Sequence, residues 1–237
     1  MVIKQAVILA GGRGGRLMPL TKDRPKPMVE VNSKPFLEYL VGELKKNGIE
    51  EIIMLLGYMP DKIVDYFGNG EKYGLRIKYS ITSIDDETGT RIRKVKKLLN
   101  EKFLLLYSDN YWPLNLEKIC EFYARHNTLA SITVYENKDG VTKNNTLVDE
   151  SGLVKIYDKS RTDSRVNGVE IGFYILDKKV LDIMPEENFS FEANILPKLI
   201  EMKQLSGYLT SERYYSITTP DKISVVAKYF SSINLLK

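Results

Sequence analysis

The chain has 237 residues, of which 43% are hydrophobic and 28% charged, with a formal net charge of +4. That length accommodates one large α/β domain with a substantial core and excludes two ordinary domains joined by linkers. A single cysteine, Cys120, excludes an internal disulfide framework and a multi-cysteine zinc site, and no apolar run approaches the roughly 20 residues of a membrane span.

Lysines and arginines are scattered rather than gathered in one block, which disfavours a nucleic-acid partner and leaves a small phosphorylated ligand as the expectation. Met1–Gln5 lead straight into the first predicted strand and leave no room for a signal peptide, so a reducing cytoplasm is expected, with no membrane partner. Whether the protein is a homo-oligomer stays open at this stage.

The first predicted element is a strand over Ala6–Leu9, a continuous apolar run of the kind buried on both faces. Gly11, Gly12, Gly14 and Gly15 follow it. Such a glycine-rich turn lets the backbone approach a ligand closely, with N–H groups converging as an anion nest. Arg13, Arg16, Lys22, Arg24 and Lys26 add cationic heads to the same segment. A phosphate-binding loop is therefore expected. It is not a P-loop, since no Gly-Lys-Ser/Thr occurs there, and not a dinucleotide fingerprint, since Leu17 stands where a third glycine belongs.

The stretch Leu9-Ala10-Gly11-Gly12-Arg13-Gly14-Gly15-Arg16-Leu17-Met18-Pro19-Leu20-Thr21, followed by Pro25-Lys26-Pro27-Met28, resembles the opening signature of the sugar-phosphate nucleotidylyltransferases, the NDP-sugar pyrophosphorylases. Gly15 departs from it, at a position where that family usually carries Thr or Ser. The resemblance implies a doubly wound, mostly parallel, Rossmann-like α/β sheet with a β-rich acceptor-binding part. It also implies nucleotide contacts from Leu9, Ala10, Gly11, Gly12, Arg13, Gly14 and Gly15, with Arg16 and Lys26 as catalytic cations.

Further along, Lys34 and Pro35 introduce a helix carrying Phe36, Leu37, Leu40, Val41 and Leu44 at helical spacing, with Gly48 placed to stop it. Glu51–Gly57 reads as a second buried strand, Asp61–Phe67 as a short helix, and Arg76–Ile81 as a third strand with Ile77, Tyr79 and Ile81 on one face. This alternation points to right-handed βαβ units in a parallel sheet, whose ligands bind at the carboxyl ends of the strands. Thr88-Gly89-Thr90 opens a predicted helix over Arg91–Leu99 and resembles part of the family's L-G-T-A-G-A, which implies nucleotide contacts from Gly89 and Thr90. Arg91 and Arg93 replace small residues of that pattern. Either they belong to a solvated helix face, or one of them reaches the triphosphate or an anionic acceptor from the helix N-terminus.

Phe103–Tyr107 is the most apolar strand and is expected at the sheet centre, with Ser108, Asp109 and Asn110 at its carboxyl end. A carboxylate there suits magnesium, which takes one or two carboxylates plus phosphate oxygens. The resemblance adds Ser108 as a nucleotide contact and Asp109 as a metal ligand beside the acceptor. Leu116, Ile119, Cys120 and Tyr123 share one face of the next helix, making Cys120 a core residue, and His126 is expected to cap that helix's C-terminus.

Beyond a strand over Ala130–Tyr135 come shorter β segments at Thr146–Val148 and Leu153–Asp158 around a Glu150-Ser151-Gly152 turn. Residues 1–135 read as the nucleotide half and 136–237 as the acceptor half of one domain. Tyr157-Asp158-Lys159 resembles F-x-E-K-P, which implies Asp158 on a sugar hydroxyl and Lys159 on the acceptor phosphate. Glu170-Ile171-Gly172 resembles N-A-G, which places Glu170 and Gly172 in the sugar pocket. Phe189–Ile200 resembles a segment of members that handle mannose and heptose phosphates. Tyr214–Asp221 resembles W-x-D-I-G-T-P-E, with Ser216 where that motif carries its second magnesium ligand. The sequence shows no hexapeptide repeats, so the β-helix of bifunctional acetyltransferase relatives is not expected.

The resemblance implies condensation of a nucleoside triphosphate, GTP or CTP before UTP or dTTP, with a sugar 1-phosphate, assisted by Mg2+. Two alternatives remain at this stage. One is nucleotidyl transfer to a non-sugar phosphorylated metabolite, suggested by Glu170 and Ser160. The other is a non-catalytic nucleotide-binding regulator, suggested by Gly15, Arg91 and Ser216.

Overall fold

The structure, a computed structural model, describes residues 1–234. In chain order the strands are β1 (Gln5–Ala10), β2 (Glu30–Val31), β3 (Lys34–Pro35), β4 (Glu51–Leu56), β5 (Arg76–Ile81), β6 (Lys102–Tyr107) and β7 (Asn110–Tyr111). After them come β8 (Ala130–Tyr135), β9 (Thr146–Val148), β10 (Val154–Tyr157), β11 (Val169–Asp177), β12 (Leu205–Thr210) and β13 (Tyr215–Ser216). The α-helices are α1 (Phe36–Lys46), α2 (Asp61–Phe67), α3 (Thr88–Lys94), α4 (Leu116–His126), α5 (Phe191–Glu201) and α6 (Pro220–Asn234).

Seven strands form the main sheet in the order β12-β8-β11-β6-β1-β4-β5. Pairings β1/β4, β1/β6, β4/β5 and β8/β12 are parallel, whereas β11 runs antiparallel to both neighbours. The sheet is thus mostly parallel, as expected, and β6 lies at its centre. Strand β11 comes from the acceptor half yet sits between β6 and β8, so the two halves share one sheet.

Period-two alternation along β1 explains the double winding. Ala6, Ile8 and Ala10 face a core that includes Phe36 and Leu40 of α1, Ile119 of α4 and Phe230 of α6. Val7 and Leu9 face the other core, with Ile92 of α3 and Phe191 and Leu196 of α5. All six residues of the strand are buried. A strand covered on both faces needs a continuous apolar run, which is what the sequence carries.

Several local expectations hold in detail. α1 ends where predicted, with Gly48 at φ +78° just beyond it. Cys120 is buried, and burial pushes its thiol up. His126 places Nδ1 2.8 Å from Phe122 O and Nε2 3.2 Å from Ser151 O, tying the C-terminus of α4 to the turn before β10. Two expectations need correction. Ile81 is 56% exposed rather than packed with Ile77, because β5 is an edge strand and its end overhangs the core. The helix predicted over Arg91–Leu99 instead starts at Thr88 and gives way to a 3-10 turn at Lys96–Leu98. It starts early because Phe189 O accepts from Gly89 N at 3.0 Å and Thr90 N at 3.4 Å, satisfying first-turn donors.

Candidate active site

The loops after β1, β5 and β6 lie at one edge of the sheet, because these strands are parallel. They enclose a cavity of about 500 Å³ lined by Leu9, Ala10, Gly11, Gly12, Gly14, Lys26, Ser108 and Asp109 from the predicted set. Gly14 adopts φ +66°, and a Cβ there would lie 2.8 Å from Lys26 Cβ. Only glycine lets the loop fold down over Lys26 in this way. Lys26 Nζ donates to Asp109 Oδ2 at 2.6 Å, with the two side chains 12% and 26% exposed. Arg13, Gly15 and Arg16 are exposed on the loop.

Ser216 is delivered to this edge by a separate device. β13 pairs antiparallel with β7, setting Ser216 opposite Asn110, and Ile217 N donates to Asp109 O at 3.0 Å. The two positions expected to ligate a metal are therefore brought side by side. Among the described residues no group of three or more His, Cys, Asp or Glu is arranged to hold a metal ion. Asp109 alone fits magnesium that arrives with phosphate oxygens, and Ser216 offers only a neutral hydroxyl.

Lys222, in the first turn of α6, was not singled out from the sequence. It shares a second cavity, of about 240 Å³, with Ser216. Partial burial and the nearby cations Arg161, Arg16 and Lys26 hold its ammonium below the usual lysine value, against the pull of Asp109. Its only sequence signal is a cation at the positive end of a helix, which is electrostatically unfavourable unless an anion is expected there.

Arg91 answers to neither of its sequence readings. It is 3% exposed and uses all five guanidinium N–H donors inside the protein. Nε donates to Asp86 O at 3.0 Å, Nη1 to Leu56 O and Thr82 Oγ1 at 2.6 Å each, and Nη2 to Ser83 O at 2.7 Å and Ile84 O at 3.3 Å. No donor remains for a triphosphate. Burial lowers its pKa, as expected for a charge surrounded by neutral acceptors. Arg93 turns the other way and pairs with Glu186. Gly89 is buried under Phe189, where a Cβ would lie 2.1 Å from the ring, and Thr90 Oγ1 accepts from Phe189 N at 3.0 Å. Both residues thus hold α3 against the Phe189 segment that leads into α5, and neither lines the cavity.

On the acceptor side, Asp158 is folded onto its own loop. It accepts from Ser160 N at 2.9 Å, Thr162 N at 2.6 Å and Asp163 N at 2.8 Å, and these bonds with the Ser160 hydroxyl hold it well below the usual carboxylate range. Lys159 is exposed and pairs with Glu192 at 3.4 Å. Glu170 accepts from Gly172 N across a bulge of β11, where Gly172 takes φ +83° and packs over Tyr107 and Asn110. Burial, reinforced by Glu192, raises the Glu170 carboxyl to about 7.

With this geometry in view, comparison with known proteins is decisive. The Nucleotidyl transferase family model matches residues 5–217. The chain belongs to that family. It is 30% identical, over 92% of its length and 94% of the relative's, to D-glycero-alpha-D-manno-heptose 1-phosphate guanylyltransferase of Aneurinibacillus thermoaerophilus. It is 32% identical to the probable glucose-1-phosphate cytidylyltransferase of Bacillus subtilis strain 168, covering 91% of this chain and 90% of the relative. The crystal structure of HddC from Yersinia pseudotuberculosis complexed with GMP-PN superposes with a TM-score of 0.83 at 28% identity, covering 96% of this chain and all of that one. The resemblance drawn from the opening signature is thereby borne out, for the fold and for membership among nucleotidyl-transferring enzymes. No helix of the described residues is long and apolar enough to cross a membrane.

Proposed function

We propose that the protein condenses GTP or CTP with a sugar 1-phosphate of the mannose or heptose type, giving a nucleotide-sugar and pyrophosphate in the cytoplasm. The observation that carries this reading is the cavity in which the glycine loop, Lys26 and Asp109 meet. An acceptor phosphate oxygen attacks the α-phosphorus in line, a new P–O bond forms, and the bond to the pyrophosphate leaving group breaks. An acceptor already ionised at neutral pH needs no general base, so the protein must position two anions and neutralise their repulsion.

In this reading residues 1–135 carry the nucleotide and 136–237 the acceptor. Backbone N–H groups of Gly11–Gly15 and the Arg16 guanidinium hold the leaving phosphates. Lys26 bridges the α-phosphate and the attacking oxygen. Lys159 docks the acceptor phosphate after leaving Glu192, and Glu170 with Gly172 faces the sugar. Asp109 would hold magnesium, which supplies positive charge at the phosphates.

The test is pyrophosphate release over the four triphosphates GTP, CTP, UTP and dTTP, each with a panel of sugar 1-phosphates. Release with GTP or CTP and a hexose or heptose 1-phosphate is expected. Release only with a non-sugar phosphate, or with no acceptor at all, overturns the reading.

A further inference from the structure

The glycine loop and Lys26 make one side of the nucleotide cavity cationic, while Ile84, Asp85, Asp86, Glu87 and Thr88 line another. A triphosphate is attracted to the first and repelled by the second, so a bound nucleotide lays its uncharged base against the acidic wall.

The backbone of that wall is already committed. Five successive carbonyls accept hydrogen bonds from within the protein: Ser83 and Ile84 from Arg91 Nη2, Asp85 from Asn188 Nδ2 at 2.9 Å, Asp86 from Arg91 Nε, and Glu87 from Arg91 N at 3.1 Å. Among side chains, the Asp86 carboxylate is held by Lys94 at 2.6 Å. Asp85 and Glu87 are exposed and line the cavity. Arg91 therefore does two things at once. With Asn188 it holds the wall carbonyls, and it spends every donor it has, so the side-chain acceptors left to meet a base are the carboxylates of Asp85 and Glu87.

A carboxylate offers two adjacent acceptor oxygens and no donor. Guanine is the one common base whose Watson–Crick edge carries two adjacent donors, N1–H and N2–H. Cytosine and adenine present a donor beside an acceptor nitrogen, and uracil and thymine present one donor between two carbonyl oxygens, which a carboxylate repels. We propose that the carboxylates of Asp85 and Glu87 read the base and select guanine. This inference rests on the nucleotidyl-transfer reading and narrows its choice between GTP and CTP.

The experiment is calorimetric titration of GTP, CTP, UTP, dTTP and ATP, with magnesium, into the wild type and into Asp85→Asn, Glu87→Gln and the double variant. Both residues are exposed, so melting temperatures should be unchanged. The wild type should bind GTP most tightly. The isosteric amides should lower GTP affinity by about 10- to 100-fold, the worth of a bidentate base contact, while CTP affinity changes little. An amide keeps one acceptor oxygen and replaces the other by a donor, so it can no longer accept from guanine N1–H and N2–H together. A double variant that keeps the full preference for GTP overturns the inference, as does a wild type without that preference. If the wild type binds and turns over CTP instead, the base assignment falls and nucleotidyl transfer stands. If it binds no triphosphate, both fall.

Discussion

Lys26 and Asp109 lie 83 positions apart in the chain and meet at 2.6 Å, the lysine from the turn that follows the glycine loop and the aspartate from the end of the central strand. The pair sits where the cationic loop gives way to the proposed metal position, and each side chain holds the other before substrate arrives. Replacing Lys26 by Ala should lower kcat by about 10²- to 10³-fold, the cost of losing a preorganised charge at a developing anion. Triphosphate affinity should change much less. Steady-state pyrophosphate release together with calorimetric nucleotide binding separates the two, and near-wild-type turnover in a folded variant would remove Lys26 from the reaction.

Ser216 stands beside Asp109 through the β7/β13 ladder, in a place suited to a ligand but carrying a neutral oxygen. Ser216→Asp adds a second carboxylate to the same position. Metal affinity should rise by at least the roughly 10- to 100-fold that even outer partners of a metal site are worth. Binding of Mn2+ to the nucleotide-saturated protein, followed by paramagnetic resonance, reads this directly. Unchanged affinity would mean that Lys222 and the surrounding cations, not the missing carboxylate, set the charge balance there.

Much of this arrangement was legible in the sequence where one local signal decided it. The apolar run before Gly11 announced a doubly covered strand, and the parallel sheet then fixed that Gly11, Ser108 and Asp109 share an edge. What stayed hidden depends on contacts between distant residues. Nothing near Arg91 indicates that Leu56 O, the Thr82 hydroxyl and the carbonyls of Ser83, Ile84 and Asp86 would satisfy a buried guanidinium, and nothing near Gly89 points to Phe189 above it. The run Asp85-Asp86-Glu87 was visible, but its meaning depends on which carbonyls Arg91 consumes. Asp158 carries a role its motif does not announce, since its bonds to Ser160, Thr162 and Asp163 organise the loop after β10.

Arg91 should prove a stability determinant as well as a wall builder. Arg91→Met deletes five hydrogen bonds; Leu56 O keeps Thr82 N and Ser83 O keeps Asp86 N as donors, but the Ile84 and Asp86 carbonyls lose theirs, which typically costs about 1–3 kcal/mol for each group left unsatisfied. Relaxation of the Thr82–Asp86 segment toward solvent recovers part of this, so a net loss of roughly 2–4 kcal/mol is expected, or about 4–16 °C in Tm for a chain of this length. The KM for nucleotide should rise more than kcat falls, because the segment walls the nucleotide cavity and not the phosphates. Thermal unfolding and steady-state kinetics on the same preparation test both halves. A variant with unchanged Tm would show that the segment holds itself.

Glu170 provides the pH prediction. Its carboxyl is raised to about 7 by burial and by Glu192, against an ordinary glutamate value near 4.5. Between those values the folded protein binds the proton and the unfolded chain does not, so stability falls as pH rises through this window and levels off above the folded value. The part of this loss owed to Glu170 is about 1–3 kcal/mol, allowing for its partial exposure. Glu170→Gln, which cannot ionise, should flatten the slope of unfolding free energy between about pH 5 and 7 and be more stable than the wild type at pH 8. Denaturant unfolding at four pH values across that range measures the slope. A sugar hydroxyl donating to the carboxylate would favour its ionised form, so KM for the acceptor should fall as pH rises toward 8 in the wild type and stay level in the variant. If KM in the wild type does not move with pH while the stability slope does, Glu170 is buried for the fold alone and does not meet the acceptor.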